Sequence, residues 1–161
     1  MNYLTKMTVI EKIKYKKSLH QYAVEIIKQR IVETKLFMEN AQAAANTEEK
    51  SSAGDKYETS RAMNQIEKDM HAKQLAANNL ELAALLSIDC DKLYDSIATG
   101  SVVVCNKISF FIAAGLGKIS FEQKDIYFLS PGAPVAKLLF NKVIGDTIVF
   151  NNEQIMVKDV Y

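Results

Sequence analysis

The stretch that decides the fold reads Asn46-Thr-Glu-Glu-Lys-Ser-Ser-Ala-Gly-Asp-Lys-Tyr-Glu-Thr-Ser-Arg61. It is polar and charged, it contains turn-forming residues, and a long segment with helical spacing lies on each side of it. Such a stretch is typical of the tip of an antiparallel helical hairpin. We therefore predict a helical hairpin over residues 1–87 with its tip near residues 46–56, and we expect the tip to be the working end.

The segment before the tip is predicted to form one helix over residues 7–46. No Gly or Pro occurs from Met1 to Ala53, so nothing in the sequence interrupts this helix. Its predicted seam residues follow one another at three- and four-residue steps, and they are Ile10, Ile13, Lys17, His20, Val24, Ile27, Ile31, Thr34, Met38, Ala41 and Ala45. Further apolar residues widen this face and indicate a contact with another element or a partner, namely Ile26, Val32, Leu36 and Phe37.

The return helix is predicted over residues 56–86, and its seam has the same spacing. The predicted seam residues are Met63, Ile66, Met70, Lys73, Ala77, Leu80 and Ala84. Ser52 and Asp55 are spaced as a capping box at its start. At about 1.5 Å rise per residue the two helices would be roughly 45–60 Å long, so we expect an exposed arm. A coiled coil that dimerises through this seam is the open alternative.

The charge balance excludes a protein that binds nucleic acid by bulk charge, because the net charge of the 161 residues is only +1. The positive charge is unevenly placed, however. Lysines cluster near the start of the first helix, at Lys12, Lys14, Lys16 and Lys17. This cluster is either a solvated helix face or a contact site for RNA or for acidic groups of a protein partner.

The cysteines and histidines give no pattern of a metal site. Cys90 and Cys105 form no C-x-x-C pair, and the only two histidines, His20 and His71, are far apart. We expect the thiols to fill apolar space, His20 to pack in the seam, and His71 to face solvent. No apolar run has the length of a membrane span and no apolar leader is present, so we expect a cytoplasmic protein without a membrane contact and without a metal or cofactor of its own.

The second half of the chain has the composition and residue pattern of a small β domain. Residues 88–99 are predicted to be a linker, and residues 100–161 contain six β-branched or aromatic runs. These are residues 101–105, 107–112, 118–121, 125–129, 147–150 and 154–157. Residues 115–117 are predicted to be a hairpin turn, and Ser130-Pro131 to begin a short helix. The predicted fold class is therefore α+β, a helical hairpin followed by an antiparallel β domain with one short helix.

Two local motifs resemble the Gre family of bacterial transcript-cleavage elongation factors. The run Ser130-Pro131…Ala133…Val135-Ala136…Leu138-Leu139, followed by Gly145-Asp146 and alternating β residues, is similar to the family's Ser-Pro helix and Gly-Asp strand start. Residues 51–62 stand where the family has its acidic tip, with Tyr57 as the shared anchor. The resemblance spans nearly the whole chain and is clearest over about a third of it.

The resemblance implies a function as well as a fold. It implies an FKBP-like second domain, without prolyl isomerase activity, that docks on the rim of the secondary channel of RNA polymerase. The family's docking surface contains the Ser-Pro pair, which corresponds to Ser130 and Pro131. The hairpin would enter the channel and bring its tip to the polymerase active centre, near the 3′ end of the nascent RNA. We expect the chain to act as a monomer.

The tip departs from the family at the positions that matter for cleavage. In the family two tip carboxylates help to hold a second Mg²⁺ of the polymerase, and the equivalent positions here are Lys50 and Ala53. The nearest carboxylates are Asp55, Glu58, Glu48 and Glu49. They either supply this chemistry from a shifted loop or stabilise the positive end of the return helix. We therefore expect a polymerase-binding elongation regulator first, and a factor that stimulates transcript cleavage as the alternative.

Two other classes of protein also fit the sequence. One is a coiled-coil dimerisation or interaction protein that carries an FKBP-like domain. The other is a prolyl isomerase or chaperone with an aromatic pocket, although alternating large residues in strands are typical of a sheet core. The aromatic residues concerned are Phe110, Phe111, Phe121, Tyr127 and Phe128. No nucleophile–base pair and no phosphate-binding glycine loop occurs in the sequence, so we expect no intrinsic enzymatic activity.

Overall fold

The computed structural model describes residues 6–51 and 55–161; the side chains of residues 48–51, 55 and 57 lie outside this description. Two long helices, α1 (Val9–Ser51) and α2 (Asp55–Leu86), pack against each other and are followed by a six-stranded sheet. This confirms the predicted fold class, a helical hairpin followed by a mainly antiparallel β domain with one short helix. The predicted capping box at Ser52 falls outside the described residues.

Helix α1 begins at a capping box that the sequence contains in full. The backbone N–H of Thr8 donates to Glu11 Oε2 at 2.7 Å, and the N–H of Glu11 donates to Thr8 Oγ1 at 3.2 Å. This reciprocal pair satisfies two backbone donors that the first helical turn leaves open. The hydrogen bonds from Thr8 also lower the pKa of the Glu11 carboxyl below its ordinary value. Without Gly or Pro to interrupt it, the helix continues beyond the predicted end at residue 46.

The sheet has the strand order β3-β4-β2-β1-β6-β5, in which β2 and β4 are parallel and all other neighbours are antiparallel. All six predicted strands are confirmed. The strands and the third helix are β1 (Val102–Cys105), β2 (Ser109–Ile112), β3 (Gly117–Phe121), β4 (Lys124–Leu129), α3 (Pro134–Leu139), β5 (Thr147–Phe150) and β6 (Glu153–Val160).

Tight two-residue turns join β3 to β4 and β5 to β6. Glu122 and Gln123 form the first turn and Asn151 and Asn152 the second, and all four have positive φ, as hairpin turns require. The predicted hairpin turn at residues 115–117 is wrong. β3 pairs with β4, and β4 rather than β3 lies beside β2; residues 115–117 therefore connect two strands that do not pair.

The chain divides into two compact units. The sheet unit contains the described residues up to Val24 together with Ala84–Tyr161, and the hairpin unit is Glu25–Ala83. Ile97, inside the predicted linker, is buried in the sheet unit; its N–H donates to the Lys142 carbonyl and its own carbonyl accepts from the Asn141 N–H, both at 2.9 Å. The domain boundaries expected from composition stay a prediction.

Aromatic side chains pack on both faces of the sheet, as β2 places successive residues on opposite sides. On one face Phe110 lies 5.9 Å from Tyr127 and 5.5 Å from Phe150, measured between ring centroids. On the other, Phe111 lies 5.6 Å from Phe128, whose ring is 6.2 Å from Tyr22 of α1. The start of α1 therefore covers one face of the sheet. The expectation that the strand aromatics belong to the core is confirmed for Phe110, Phe111 and Phe128, which are all buried.

The hairpin unit buries the predicted seam of α1 but not that of α2. Ile27, Ile31 and Thr34 are buried as predicted. The predicted α2 seam is wrong, because every one of its residues in this unit is exposed: Met63, Ile66, Met70, Lys73, Ala77 and Leu80. Asn64, His71 and Asn78 each follow a predicted seam residue by one position and are less exposed than it. The other less exposed α2 residues of this unit are Ser60, Leu75, Glu81 and Leu82.

Contacts between the helices fix this rotation of α2. The ring of Phe37 stacks on His71 at 5.9 Å with an interplanar angle of 11°. Lys68 Nζ donates to Gln42 Oε1 at 3.3 Å. The expectation that His71 faces solvent is therefore wrong, since its side chain is only 12 % exposed. The hairpin thus exposes four large apolar side chains of α2, Met63, Ile66, Met70 and Leu80.

Candidate functional site

The predicted docking pair lies in the turn between β4 and α3. Ser130 and Pro131 are half-buried, and the Ser130 carbonyl accepts from the Ala133 N–H at 3.0 Å. The prediction that this pair begins the helix is wrong, because α3 begins at Pro134 with Ala133 in an extended conformation before it. A proline fits the first helical position since that position needs no N–H donor.

The Gly-Asp motif closes the connection from α3 to β5. Gly145 has φ +97°, a conformation that favours glycine. Its N–H donates to the Val157 carbonyl at 2.9 Å, and Asp146 Oδ2 accepts from the Val143 N–H at 2.9 Å. The first bond ties the connection to β6, and the second closes a turn within the connection. The residues of the motif therefore have a structural role in placing the surface around α3.

Apolar side chains are exposed on α3 and on the connection that follows it. Leu138, Val143 and Ile144 are 55, 44 and 59 % exposed, and we call these three residues the α3 surface. Exposed apolar groups that lie close together along a chain are typical of a protein contact. The Ser130–Pro131 turn comes directly before this short helix in the chain, and we take the turn and the α3 surface together as the candidate docking site of the sheet unit.

The candidate tip carboxylates are described only in part. Glu58 is exposed and lies in the first turn of α2. The side chains of Glu48, Glu49 and Asp55 lie outside the described residues, although α1 includes the first two positions and α2 begins at the third. A carboxylate in the first helical turn is stabilised by the backbone N–H groups there. That these groups share a Mg²⁺ with another protein stays a prediction.

The lysine cluster of α1 is not one exposed face. Lys12 Nζ lies 2.7 Å from Asp159 Oδ2 and 5.1 Å from the ring centroid of Tyr161, and its side chain is 12 % exposed. Lys17 Nζ lies 2.6 Å from Asp91 Oδ1. Lys14 is exposed. Of the four predicted contacts with RNA or a partner, Lys14 and Lys17 therefore have the side chains that solvent reaches.

Lys16 is buried, although the lysine cluster was predicted to face solvent or a partner. Its Nζ donates to the Lys92 carbonyl at 2.7 Å and lies 4.5 Å from the ring centroid of Tyr94. Burial lowers the pKa of its ammonium group from 10.5 to about 8. Lys16 lies three residues before the buried Leu19 and shares its helix face, which is not the face of the predicted seam.

The Tyr94 ring also explains why residue 100 is a glycine. Gly100 has φ +90°, and a Cβ at this position would lie 3.0 Å from the Tyr94 hydroxyl and 3.0 Å from Ile88 Cγ2. Only a residue without a side chain fits there. Lys16, Tyr94 and Gly100 therefore form a structural anchor that fixes residues 88–100 on the sheet unit.

The histidines and cysteines have packing roles in the described residues. A ring nitrogen of His20, Nε2, lies 2.7 Å from the Leu85 carbonyl and donates to it. Burial raises the pKa of the Cys105 thiol to about 11, and that of Cys90 is also raised, so both thiols are poorly reactive. Among the described residues no group of three or more His, Cys, Asp or Glu is placed to hold a metal ion.

Comparisons with known proteins give no match: no family model fits the chain, no curated protein matches it, and no solved structure matches it. Within the part of the chain that the structure describes, no helix combines the length and the apolar character needed to cross a membrane. The resemblance to the Gre family therefore rests on the residues quoted above.

Proposed function

We propose that this protein is a cytoplasmic regulator that binds bacterial RNA polymerase and inserts its helical hairpin into the secondary channel during elongation. The element order carries this proposal. A long helical pair precedes a six-stranded sheet, and α3 lies between β4 and β5 with the Ser-Pro turn before it and the Gly-Asp turn after it. This is the order that the two Gre-like motifs imply.

The sheet unit supplies the docking contact in this proposal. The half-buried turn at Ser130 and Pro131 precedes α3 in the chain, and the exposed apolar α3 surface comprises Leu138 of the helix and two residues after it. Burial of half-exposed apolar side chains against a partner is favourable and needs no charge. Such a contact agrees with a chain whose net charge is only +1.

The hairpin regulates access to the polymerase active centre rather than cleaving RNA. Lys50 and Ala53 stand where the family has carboxylates, and Glu58 lies one helical turn into α2. The chain contributes no chemistry of its own and no cofactor. It acts as a single copy, and the hairpin near the RNA 3′ end changes pausing or nucleotide entry.

Binding is tested with purified polymerase and a matched pair of variants. Leu138 and Val149 are both exposed apolar residues of the sheet unit, at 55 and 65 %, but only Leu138 belongs to the α3 surface. We expect the wild type and Val149→Asp to bind with equal affinity and Leu138→Asp to bind roughly tenfold more weakly, which is about 1.4 kcal/mol. A wild-type chain that does not bind polymerase overturns the proposal.

Placement of the hairpin is tested by photocrosslinking from residue 58, with residue 107 in the β1–β2 turn as the control. We expect a crosslink from position 58 to the catalytic subunit of the elongation complex and none from position 107. Equal crosslinking from both positions would contradict insertion of the hairpin.

The cleavage alternative is decided with backtracked complexes. We expect no shortening of the RNA from its 3′ end at saturating protein. If the RNA is shortened and the double variant Asp55→Ala/Glu58→Ala stops this, then the tip carboxylates share a Mg²⁺ with the polymerase site and the chain is a cleavage factor.

A further inference from the structure

The two edges of the sheet differ in how they are protected. The edge strands are β3 and β5, which stand at the two ends of the strand order. β3 carries the exposed Lys118, whose Nζ lies 2.8 Å from Asp125 Oδ2. A lysine on an edge strand opposes the addition of a further strand. β5 reads Thr147-Ile-Val-Phe150 and contains no charged residue, no Gly and no Pro. The β5 edge is therefore open to strand addition.

The backbone groups that β5 leaves open belong to Thr147 and Val149. A two-residue turn joins β5 to β6, so Phe150 and Glu153 on its two sides exchange both of their backbone hydrogen bonds. The pattern alternates along an antiparallel pair, so Ile148 also directs its N–H and C=O to β6. The N–H and C=O groups of Thr147 and Val149 therefore point away from the sheet, on a side where the structure describes no further strand.

Exposed apolar side chains accompany this open edge. Val149 is 65 % exposed, and Met156 of β6 is 38 % exposed. The register pairs Thr147 with Met156, and Val149 follows Thr147 by two residues, so the three side chains lie on the same face of the sheet. On the opposite face Ile148 is only 6 % exposed. A strand added beside β5 would pair with its open backbone groups and would also cover the outer side of Val149.

A second copy of β5 in the antiparallel orientation matches this edge. A two-fold axis at Ile148 sets Thr147 of each copy opposite Val149 of the other. Every open N–H and C=O group of these two residues then has a partner in the second copy. The side chains that meet are both β-branched, which makes a favourable cross-strand pair. Met156 of the second copy lies next to its own Thr147 and continues the same row.

The ends of β5 favour a second copy over a longer extended segment. The chain bends at Gly145, which has φ +97° and precedes the strand, and it turns back after Phe150. A longer segment would extend past both bends, and its remaining N–H and C=O groups would meet no strand. A second β5 is equally short and bends at the same places. Because β5 is uncharged, no like charges oppose its pairing with its own copy.

We propose that the free protein forms a two-fold dimer in which the β5 strands of two copies pair antiparallel, with Ile148 at the axis and Thr147 opposite Val149 of the second copy. The two sheets then form one continuous sheet. The inference stands on the sheet unit alone and does not depend on the proposed function. Where that function holds, the copies separate before a single chain binds polymerase.

The dimer is tested by sedimentation equilibrium of the full chain over a wide range of concentrations. We expect the wild type to approach twice the 18.0 kDa mass of one chain. Val149→Lys should weaken the dimer roughly tenfold or more, because it gives β5 the protection that Lys118 gives β3. Ser120→Lys is the matched change of an exposed residue at the β3 edge, and it should dimerise as the wild type does. A wild type that stays at the mass of one chain overturns the proposal.

Amide hydrogen exchange at low and high protein concentration distinguishes this strand pairing from any other dimer. The open amides of Thr147 and Val149 should exchange fast in dilute protein, and roughly tenfold or more slowly where the dimer forms. The outward amides of the β3 edge, at Lys118 and Ser120, should exchange at the same rate under both conditions. A dimer whose Thr147 and Val149 amides still exchange fast overturns the proposal. Neither measurement involves polymerase, whose binding is measured below the concentrations at which the copies pair.

Discussion

The two units bury their residues in opposite ways. The sheet unit encloses apolar side chains from both ends of the chain, and Phe110, Ile112 and Leu139 are fully buried there. The hairpin unit buries Ile27 and Ile31 of α1, but its second helix buries polar atoms of His71 and Asn78 and exposes most of its larger apolar residues. A unit that completes its own core is stable without help, whereas a unit built in this way is suited to a partner.

The largest difference in stability is expected between truncation of Phe110 in the sheet unit and truncation of Ile66 in the hairpin unit. Phe110→Ala removes a fully buried ring that contacts Tyr127 and Phe150, so the free energy of unfolding should fall by about 3–5 kcal/mol. Ile66→Ala changes a side chain that is 69 % exposed, so it should change stability by less than about 0.5 kcal/mol in dilute solution. Urea unfolding followed by circular dichroism measures both. Similar losses would show that the hairpin unit has a core of the same kind.

A leucine at position 78 should stabilise the hairpin unit. Asn78→Leu removes a buried amide nitrogen without a partner among the described residues, and we expect a gain of about 1–2 kcal/mol. Asn79→Leu is the matched control, because the neighbouring side chain is exposed. Thermal unfolding of the helical signal measures the difference. A loss of stability with Asn78→Leu would mean that the amide is needed for the alignment of the two helices.

The buried Lys16 should make stability depend on pH. Its pKa is about 8 in the folded chain against an ordinary value of 10.5. Between these values the unfolded chain holds the proton more strongly, so stability rises with pH, and below pH 8 the burial of the charge opposes folding in full. From pH 8 to pH 10.5 the free energy of unfolding of the wild type should therefore rise by about 2 kcal/mol relative to that of Lys16→Met.

The control for this prediction is Lys14→Met, which changes an exposed lysine on the same helix. The difference in the free energy of unfolding between Lys14→Met and the wild type should stay constant with pH. Urea unfolding at several pH values from 7 to 10.5 provides the measurement. A pH-independent difference for Lys16→Met would show that its ammonium group is as well hydrated as that of Lys14.

The smallest effect is expected at an exposed ion pair of the sheet unit. Lys107 Nζ and Glu153 Oε2 are 2.7 Å apart, and both side chains are more than half exposed. Solvent screens such pairs, so a double-mutant cycle should give a coupling of about 0.5 kcal/mol or less. The cycle for Lys12 and Asp159, whose side chains are 12 and 23 % exposed, should give a larger value. The opposite ranking would contradict the burial difference between the two pairs.

Most of the fold follows from local signals in the sequence. The absence of Gly and Pro before Ala53 predicts α1, and Asn151-Asn152 between two apolar runs predicts the β5–β6 turn. Strand identity follows from the β-branched and aromatic runs. Strand neighbours do not, because the parallel pairing of β2 with β4 depends on contacts between distant residues.

The rotation of α2 is not predictable from periodicity alone. Two rows with the same spacing begin one residue apart, at Met63 and at Asn64, and the apolar row is the natural choice for a seam. The structure buries the other row, since Phe37 stacks on His71. Lys16 is a similar case, because its buried position depends on Tyr94 and on the Lys92 carbonyl far along the chain. Of the candidate site, the sequence singles out Ser130 and Pro131 through the resemblance, but as a helix start rather than a turn, and it does not reveal the exposed side chains of the α3 surface.

Amide hydrogen exchange of the full chain, with and without RNA polymerase, measures how far each unit depends on a partner for its stability. In dilute free protein the amides of β2 should already exchange slowly, and those of residues 58–83 should exchange faster. Saturating polymerase should slow exchange in residues 58–83 and in the turn at residues 130–133, and should leave β2 unchanged. Unchanged exchange in the hairpin unit at saturating polymerase would contradict the account.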